Sequence, residues 1–186
     1  WLLGQPNRGL TYMFQLMNHA RIATGLQATS VATNAYQHAL QYARDRLQGR
    51  RMSEKDPTSA QVPIIKHADV RRMLLVQKAT TEGMFALLAY AAYLDDKSHF
   101  SPDETERLQA GAILEILTPV CKAHGSESSF DSIVQAIQCY GGYGFSEEFP
   151  LAQMLREQAR LRPGAIAIWW QPTAPGMPSR WKNTTA

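Results

Sequence analysis

The chain has 186 residues, of which 45% are hydrophobic and 19% are charged, and its formal net charge is +3. This length suffices for one substantial hydrophobic core but not for two, so we expect a single domain. No dense Lys/Arg tract alternates with aromatic residues, which disfavours nucleic-acid binding. No segment approaches the ~20 consecutive apolar residues that a membrane-spanning helix needs.

Cysteine and histidine usage narrows the possible chemistry. Cys121 and Cys139 lie in apolar helical patterns without a CxxC or CxxH companion, which predicts reduced core thiols and an intracellular, cytoplasmic protein. The histidines show no HxxxH or ExxH pairing, so we expect no ferritin-like metal site. They are His19, His38, His67, His99 and His124.

Two long helices are predicted in the first half of the chain. Apolar and small residues recur at helical spacing, without proline, from Leu10 to about Leu47. Residues 52–65 contain two prolines and no helical period, so they form a connection. A second helical pattern runs from about His67 to Leu94.

The sequence SPDE has the pattern of a helix start. Ser101 is the expected N-cap, Pro102 occupies the first helical position, and Glu104 completes a capping box. We expect this third helix to reach about Ala123. Pro119 falls within it and predicts a kink, because the proline ring clashes with the preceding turn.

The remaining elements complete an all-helical pattern. HGSESS at 124–129 is expected to break the chain before a fourth helix at about 129–140, and a shorter helix follows at about 150–160. Beyond these, prolines, glycines and tryptophans predict an irregular or disordered tail at 161–186. The expected fold is therefore all-α: an antiparallel up-down-up-down four-helix bundle with an irregular C-terminal tail.

Three segments are candidates for ligand contact. YARDRLQGRR at 42–51 places four arginines at a helix end, where they complement the helix dipole or contact a phosphate. QCYGGYGF at 138–145 is either a glycine C-cap under packed aromatic residues or a site of close backbone approach. The residues alone favour the structural interpretation of both segments. Arg21, three residues after Asn18, needs an acceptor if it lies deep in a bundle, and it is either structural or part of a pocket wall.

Taken together, parts of the chain resemble the C-terminal helical domain of the acyl-CoA dehydrogenase family. The resemblance covers roughly residues 1–160 and rests on three segments in the same order. These are MFQLMNHARIATGLQATSVATNAYQHALQYARDRLQGR, IIKHADVRRMLL and AIQCYGGYGFSEEFPLAQMLRE. The RLQGR form is similar to the larger bacterial subgroup that includes methylmercaptopropionyl-CoA dehydrogenases.

The resemblance implies a domain organisation. Members of this family have an N-terminal helical domain, a middle β-domain, and a C-terminal four-helix bundle that also mediates oligomerisation. By this comparison, residues 1–9 are a linker from a missing middle domain, 10–160 are the bundle, and 161–186 are the tail. We therefore expect a homo-oligomer, at least a dimer.

The resemblance also implies FAD as cofactor and an acyl-CoA thioester as substrate, which the family desaturates at the α,β bond. Arg46 matches an arginine that reaches the FAD diphosphate of the neighbouring subunit, and Gln48 matches a nearby polar flavin contact. Gln138, Gly141 and Gly142 match a segment that cradles the ADP half of FAD across the dimer. These two groups of contacts are expected from two different protomers.

The sequence departs from the family at the catalytic base. Where members carry Tyr-Glu-Gly-Thr, this chain reads QARLRPGAIAIWWQ, and the alternative base position before Arg21 is Ala20. We therefore expect no catalytic residue here, an inactive isolated chain, and weak or absent FAD binding. The alternatives are a non-catalytic oligomerisation or partner-binding bundle, and a domain of a related flavin oxygenase or oxidase.

Overall fold

The regular structure of the chain is helical. A computed structural model describes residues 2–51, 53, 56 and 58–161, apart from the side chain of Gln15. The α-helices in these ranges are α1 (Gly9–Asp45), α2 (Ala68–Phe100), α3 (Glu104–Tyr140) and α4 (Leu151–Ala159). Two 3-10 segments, Ile64–Lys66 and Gly141–Phe145, and one isolated bridge between Leu47 and Pro63 accompany them. The all-helical prediction is confirmed.

The first two helices lie close to their predicted positions, but α2 continues to Phe100, beyond the predicted end at Leu94. Its last turn carries Lys97, a cation that favours a helix C-terminus. The helix ends where Ser101 adopts an extended conformation (φ −62°, ψ 136°). Ser101 precedes Pro102, and a residue before proline is disfavoured in the helical region, so proline chemistry sets this boundary.

The predicted N-cap of the third helix is wrong. Asp103, rather than Ser101, caps α3, and its side chain accepts a hydrogen bond from the backbone N–H of Thr105 at 2.8 Å. Pro102 therefore lies in the turn between the two helices, and Glu104 is the first helical residue. The SPDE pattern marks a helix start correctly, but the caps of two successive helices share these few residues.

The predicted break at 124–129 is also wrong, because α3 runs through it without interruption for 37 residues. Ser128 donates its hydroxyl to the His124 carbonyl of the preceding turn at 2.6 Å, so its polar group stays within the helix. Gly125 and Ser126 are buried, and their small size serves helix packing. The predicted third and fourth helices are thus one helix, with Pro119 inside it; the kink at Pro119 stays a prediction.

A stripe of alanines joins α1 to the core. Every member is fully buried: Ala28, Ala32, Ala35, Ala39 and Ala43. Farther towards the start of α1, a β-carbon at Gly25 would lie 2.5 Å from the Cys121 carbonyl oxygen, and one at Gly125 would lie 3.3 Å from the Gly25 Cα. The backbones of α1 and α3 therefore approach each other more closely at Gly25 than any larger residue permits.

The short helix α4 closes the main core. Its residues Leu151 and Met154 are buried in the same cluster as Ile133 and Ile137 of α3. At its end, the buried Gln158 amide donates to the Ser126 carbonyl at 3.0 Å. This helix supplies the fourth packed element that the second half of α3 was predicted to supply.

None of the helices in the described ranges is long and apolar enough to cross a membrane. From residue 162 onward, the predicted tail lies outside the described residues. The division into linker, bundle and tail therefore stays a prediction.

Candidate functional site

The end of α1 forms the first side of the site. Arg46 follows the helix in an extended conformation, while its backbone N–H still donates to the Tyr42 carbonyl at 2.8 Å. Its carbonyl accepts from the Ile64 N–H at 2.9 Å, and the Gln48 N–H donates to the Val62 carbonyl at 3.0 Å. The chain returning from the α1–α2 connection therefore fixes the backbone of Arg46 and Gln48.

A glycine permits this return. Gly49 has a φ of +71°, a region that favours glycine, and its β-carbon would lie 3.3 Å from the His67 ring. His67 Nε2 lies 2.7 Å from the Gln48 carbonyl oxygen. Because a carbonyl only accepts, the imidazole must donate from Nε2. The Gln48 backbone is thus held from two sides, while the residue remains exposed.

The end of α3 forms the second side, and its three glycines have different roles. Gly141 caps the helix with φ 60° and ψ −135°, a conformation that L-residues rarely adopt. A β-carbon at Gly144 would lie 2.8 Å from the Ile137 carbonyl oxygen, so this residue folds back on its own helix. A β-carbon at Gly142 would meet nothing within 4 Å. The C-cap interpretation is correct for Gly141, while Gly142 presents open backbone.

Aromatic rings join the two sides. Tyr42 of α1 and Tyr140 of α3 stack with ring centroids 3.9 Å apart, and Phe149 packs edge-on against Tyr140 at 5.1 Å. The Tyr140 hydroxyl donates to the His38 carbonyl at 3.2 Å, and burial raises the pKa of this phenol. This aromatic cluster sets the position of the α1 end relative to the α3 end.

The Arg46 guanidinium is oriented but not neutralised. Its central carbon lies 5.6 Å from the centroid of the exposed Tyr143 ring, a cation–π contact worth about 0.5–1 kcal/mol at such a site. No ion pair between described residues includes Arg46. Its N–H groups can therefore bind an anionic ligand.

All five predicted site residues lie at this end of the molecule. A surface groove of ≈ 520 Å³ is lined by a set that includes Arg46, Gln48, Gly141 and Gly142. An adjoining groove of ≈ 330 Å³ shares Gln48 and Gly141 and adds Gln138. One chain brings all five residues to this end, and the expectation that two protomers supply the FAD contacts stays a prediction.

The contribution of Tyr42 to the aromatic cluster and the role of His67 were not predicted from the sequence. A signal existed, since Tyr42 precedes Arg46 by one helical turn and Tyr140 and Tyr143 stand in QCYGGYGF. What could not be found was the stacking of Tyr42 on Tyr140, because it depends on which helix ends meet. Glu148, which also lines the larger groove and adds a negative charge there, was likewise missed.

The cysteines are buried and free, as predicted. Burial raises the pKa of Cys139 to about 11 and raises that of Cys121 as well, so both are thiols near neutral pH. Thiols are poor nucleophiles, which argues against a catalytic role for either. Within the described ranges, no group of three or more His, Cys, Asp or Glu side chains could hold a metal ion.

Comparison with known proteins decides the family. The family model described as acyl-CoA dehydrogenase, C-terminal domain, matches residues 7–165. The chain belongs to the acyl-CoA dehydrogenase family. It is 45% identical over 172 residues to 3-methylmercaptopropionyl-CoA dehydrogenase of Ruegeria pomeroyi, covering 90% of this chain and 28% of that protein. The resemblance inferred from the three sequence segments is confirmed.

Other acyl-CoA dehydrogenases also match this chain in sequence and in fold. A butyryl-CoA dehydrogenase of Syntrophomonas wolfei is 40% identical over 162 residues, covering 84% of this chain and 26% of that protein. The solved acyl-CoA dehydrogenase of Bacillus anthracis, complexed with FAD, has the same fold, with a TM-score of 0.70 and 24% identity over 88% of this chain and 27% of that one. The chain thus spans less than a third of the length of these two curated relatives.

Proposed function

We propose that this chain is the C-terminal domain of an FAD-dependent enzyme that desaturates acyl-CoA thioesters, and that its own part is to hold the ADP half of FAD. The observation that carries the proposal is the meeting of Arg46 and Gln48 with Gln138, Gly141 and Gly142 around two adjoining grooves. The two groups of residues lie at least 90 positions apart in the sequence. No packing requirement explains why exposed, hydrogen-bonding side chains gather there.

The residues present fit a dinucleotide. The charged guanidinium of Arg46 has no ion-pair partner among the described residues. Its parallel N–H groups match the paired oxygens of a diphosphate. Gly141 and Gly142 leave space that a β-carbon would fill, so a ligand can approach the backbone. Gln48 and Gln138 are exposed and offer amide donors and acceptors.

FAD, when bound, would supply the acceptor for the hydride that leaves the substrate β-carbon. The residues of this chain would orient the cofactor and would not move the proton. Ala20 is an exposed alanine on α1, and QARLRPGAIAIWWQ, most of which lies outside the described residues, contains no glutamate. Removal of an α-proton without a positioned base forfeits about 10²–10⁴-fold in rate. We therefore propose that the isolated chain is inactive and purifies without colour.

The test is the contribution of Arg46 to nucleotide binding. ADP titrated into the 186-residue chain by calorimetry should bind weakly, because association entropy consumes most of the energy of a few contacts. Arg46→Ala should weaken that binding about 10-fold or more, since a hydrogen bond to a charged group contributes ~1.5–3 kcal/mol. Arg46→Lys should recover only part of it, because lysine lacks the planar fork.

Arg44→Ala is the matched control. Arg44 is an exposed arginine in the last turn of α1, two residues earlier, and it does not line either groove. We expect this variant to bind ADP as the unaltered chain does. Equal losses for the two alanine variants would reduce the effect to general surface charge and would contradict the proposed site.

We also propose that the domain self-associates, as a dimer at least. Several large apolar side chains of α1 are exposed, including Leu10 (66%) and Leu16 (72%), and large apolar patches promote association. Sedimentation velocity should show a species at least twice the 20.8 kDa chain mass. A monomer that persists at high protein concentration would contradict this proposal.

We also propose that α1, α2 and α3 run in alternating directions, as in an up-down-up-down bundle. Residues 25 and 42 of α1 lie against residues 121 and 140 of α3 in the same order, which supports a parallel pair. Gln77 of α2 contacts Cys139, whereas the later Met84 contacts the earlier Gly125, which supports an antiparallel pair.

A cytoplasmic location is supported by the two free, buried thiols. The alternatives, a non-catalytic bundle and a flavin oxygenase or oxidase, have less support, since the relatives at 40–45% identity bear the names of dehydrogenases.

A further inference from the structure

Two cationic side chains are buried on facing stretches of α1 and α3. Arg21 of α1 is 9% exposed, and Lys122 of α3 is 6% exposed. Lys122 directly follows Cys121, whose carbonyl oxygen lies against Gly25, one helical turn after Arg21. Burial first, and then the Arg21 charge, lower the pKa of Lys122. Charged side chains are almost never this buried unless they are paired.

The hydrogen-bonding of Arg21 is incomplete on one edge. One terminal nitrogen, Nη1, donates to the Asn18 Oδ1 at 2.9 Å. The other two nitrogens, Nε and Nη2, are shielded from solvent and have no hydrogen-bond partner among the described residues. These two nitrogens form one edge of the guanidinium, and their parallel N–H groups match two oxygens of a carboxylate or a phosphate.

Lys122 is also poorly satisfied. Its ammonium donates to the Leu161 carbonyl at the end of α4 over 3.5 Å, the limit of a hydrogen bond. Burial lowers the pKa of Lys122, and the neighbouring Arg21 charge lowers it further. An ammonium has three donors, so this long contact leaves at least two of them without a described acceptor.

The described residues provide no counter-charge for these two cations. No ion pair between the described residues uses Arg21 or Lys122. Among the remaining residues only Glu54, in the α1–α2 connection, is acidic, and 162–186 contain neither Asp nor Glu. Arg21 is also 25 residues from Arg46 along α1, or roughly 37 Å at the helical rise, so the two grooves beside Arg46 do not explain its unpaired nitrogens.

We propose that Arg21 and Lys122 form a binding site for a small oxyanion, a carboxylate or a phosphate, where α1, α3 and the end of α4 meet. The Nε–Nη2 edge of Arg21 binds two oxygens of the anion, and the Lys122 ammonium binds one. The anion satisfies the two orphaned guanidinium nitrogens and offsets the repulsion between the cations. This site is independent of the proposed FAD contacts.

The test uses the 186-residue chain and two probes, inorganic phosphate and acetate, titrated by calorimetry against a sodium chloride background of equal ionic strength. We expect at least one probe to bind. Arg21→Lys keeps the charge but removes the fork, and Lys122→Met keeps the length but removes the charge. Each should weaken binding at least 10-fold.

The control is Lys78→Met, which removes an exposed lysine paired with Glu82 at 2.7 Å and should leave the affinity unchanged. Thermal unfolding in chloride adds a second readout. There, Lys122→Met should keep or raise the unfolding temperature, because an unpaired buried charge is gone, and probe anion should no longer raise it.

Each outcome of the titration either supports or overturns the proposal. Phosphate binding alone identifies a phosphate-type ligand, acetate binding alone a carboxylate, and mutual competition a site that accepts both; all three support the proposal. Binding of neither probe above the chloride background overturns it. So does an affinity that Arg21→Lys and Lys122→Met leave unchanged.

Discussion

Ile137→Ala is expected to lower the free energy of unfolding by ~2–5 kcal/mol, the range for large-to-small changes in a packed core. Ile137 is 2% exposed, lies in the main hydrophobic cluster, and contacts the close turn at Gly144. Removal of its side chain leaves a cavity that the alanines of α1 cannot fill. Urea denaturation followed by circular dichroism measures the change.

Ile116→Ala is the matched control for this prediction. It changes the same residue type on the same helix, but Ile116 is 70% exposed. Its replacement should alter the free energy of unfolding by no more than about 0.5 kcal/mol at the same protein concentration. Similar losses for the two variants would contradict the assignment of Ile137 to the core.

Periodicity predicted the first two helices because each carries a continuous apolar or small stripe that must be buried. It could not resolve α3, where HGSESS has the composition of a loop. Gly125 lies against α1 and α2, since a β-carbon there would be 3.3 Å from the Gly25 Cα and 3.0 Å from the Met84 Cε. Small residues that permit close helix packing and small residues that form turns look alike in one sequence. Only the partner helix distinguishes them.

The SPDE error has a related cause. Asp103 and Ser101 are both good capping residues, and local chemistry allows either to start a helix. The tertiary structure decides, because α2 extends six residues beyond Leu94 and uses Ser101 as its own end. Pro102 then lies between the two helices. Capping signals identify a boundary, whereas the identity of the cap depends on how far the preceding helix extends.

The candidate site was predictable only in part. Family resemblance supplied its five residues, while residue chemistry alone favoured a cap at Gly141, and that interpretation is correct. The stacking of Tyr42 on Tyr140 could not be predicted, since it depends on two helix ends that are far apart in sequence. Lys122 could not be predicted as a neighbour of Arg21 either, because the two residues are far apart in sequence. The sequence indicated that Arg21 needs an acceptor but not that a second cation lies beside it.

Gly25→Ala is expected to destabilise the protein by ~1–3 kcal/mol, the usual cost of overpacking a core. The added β-carbon would lie 2.5 Å from the Cys121 carbonyl oxygen and 3.1 Å from its carbonyl carbon. Both are backbone atoms, so α1 and α3 must separate, and the packing of the alanine stripe is loosened with them. This cost must exceed the gain of up to about 1 kcal/mol that alanine brings to a helix interior.

Gly83→Ala in α2 separates these two effects. Gly83 is exposed, and its β-carbon would meet nothing within 4 Å, so only the helix-propensity gain applies and the variant should be as stable as the unaltered chain or up to about 1 kcal/mol more stable. Thermal and urea unfolding of the two variants should therefore give changes of opposite sign. If Gly25→Ala matched Gly83→Ala, the close contact between α1 and α3 would not exist in solution, and the small residues at 25 and 125 would need another explanation.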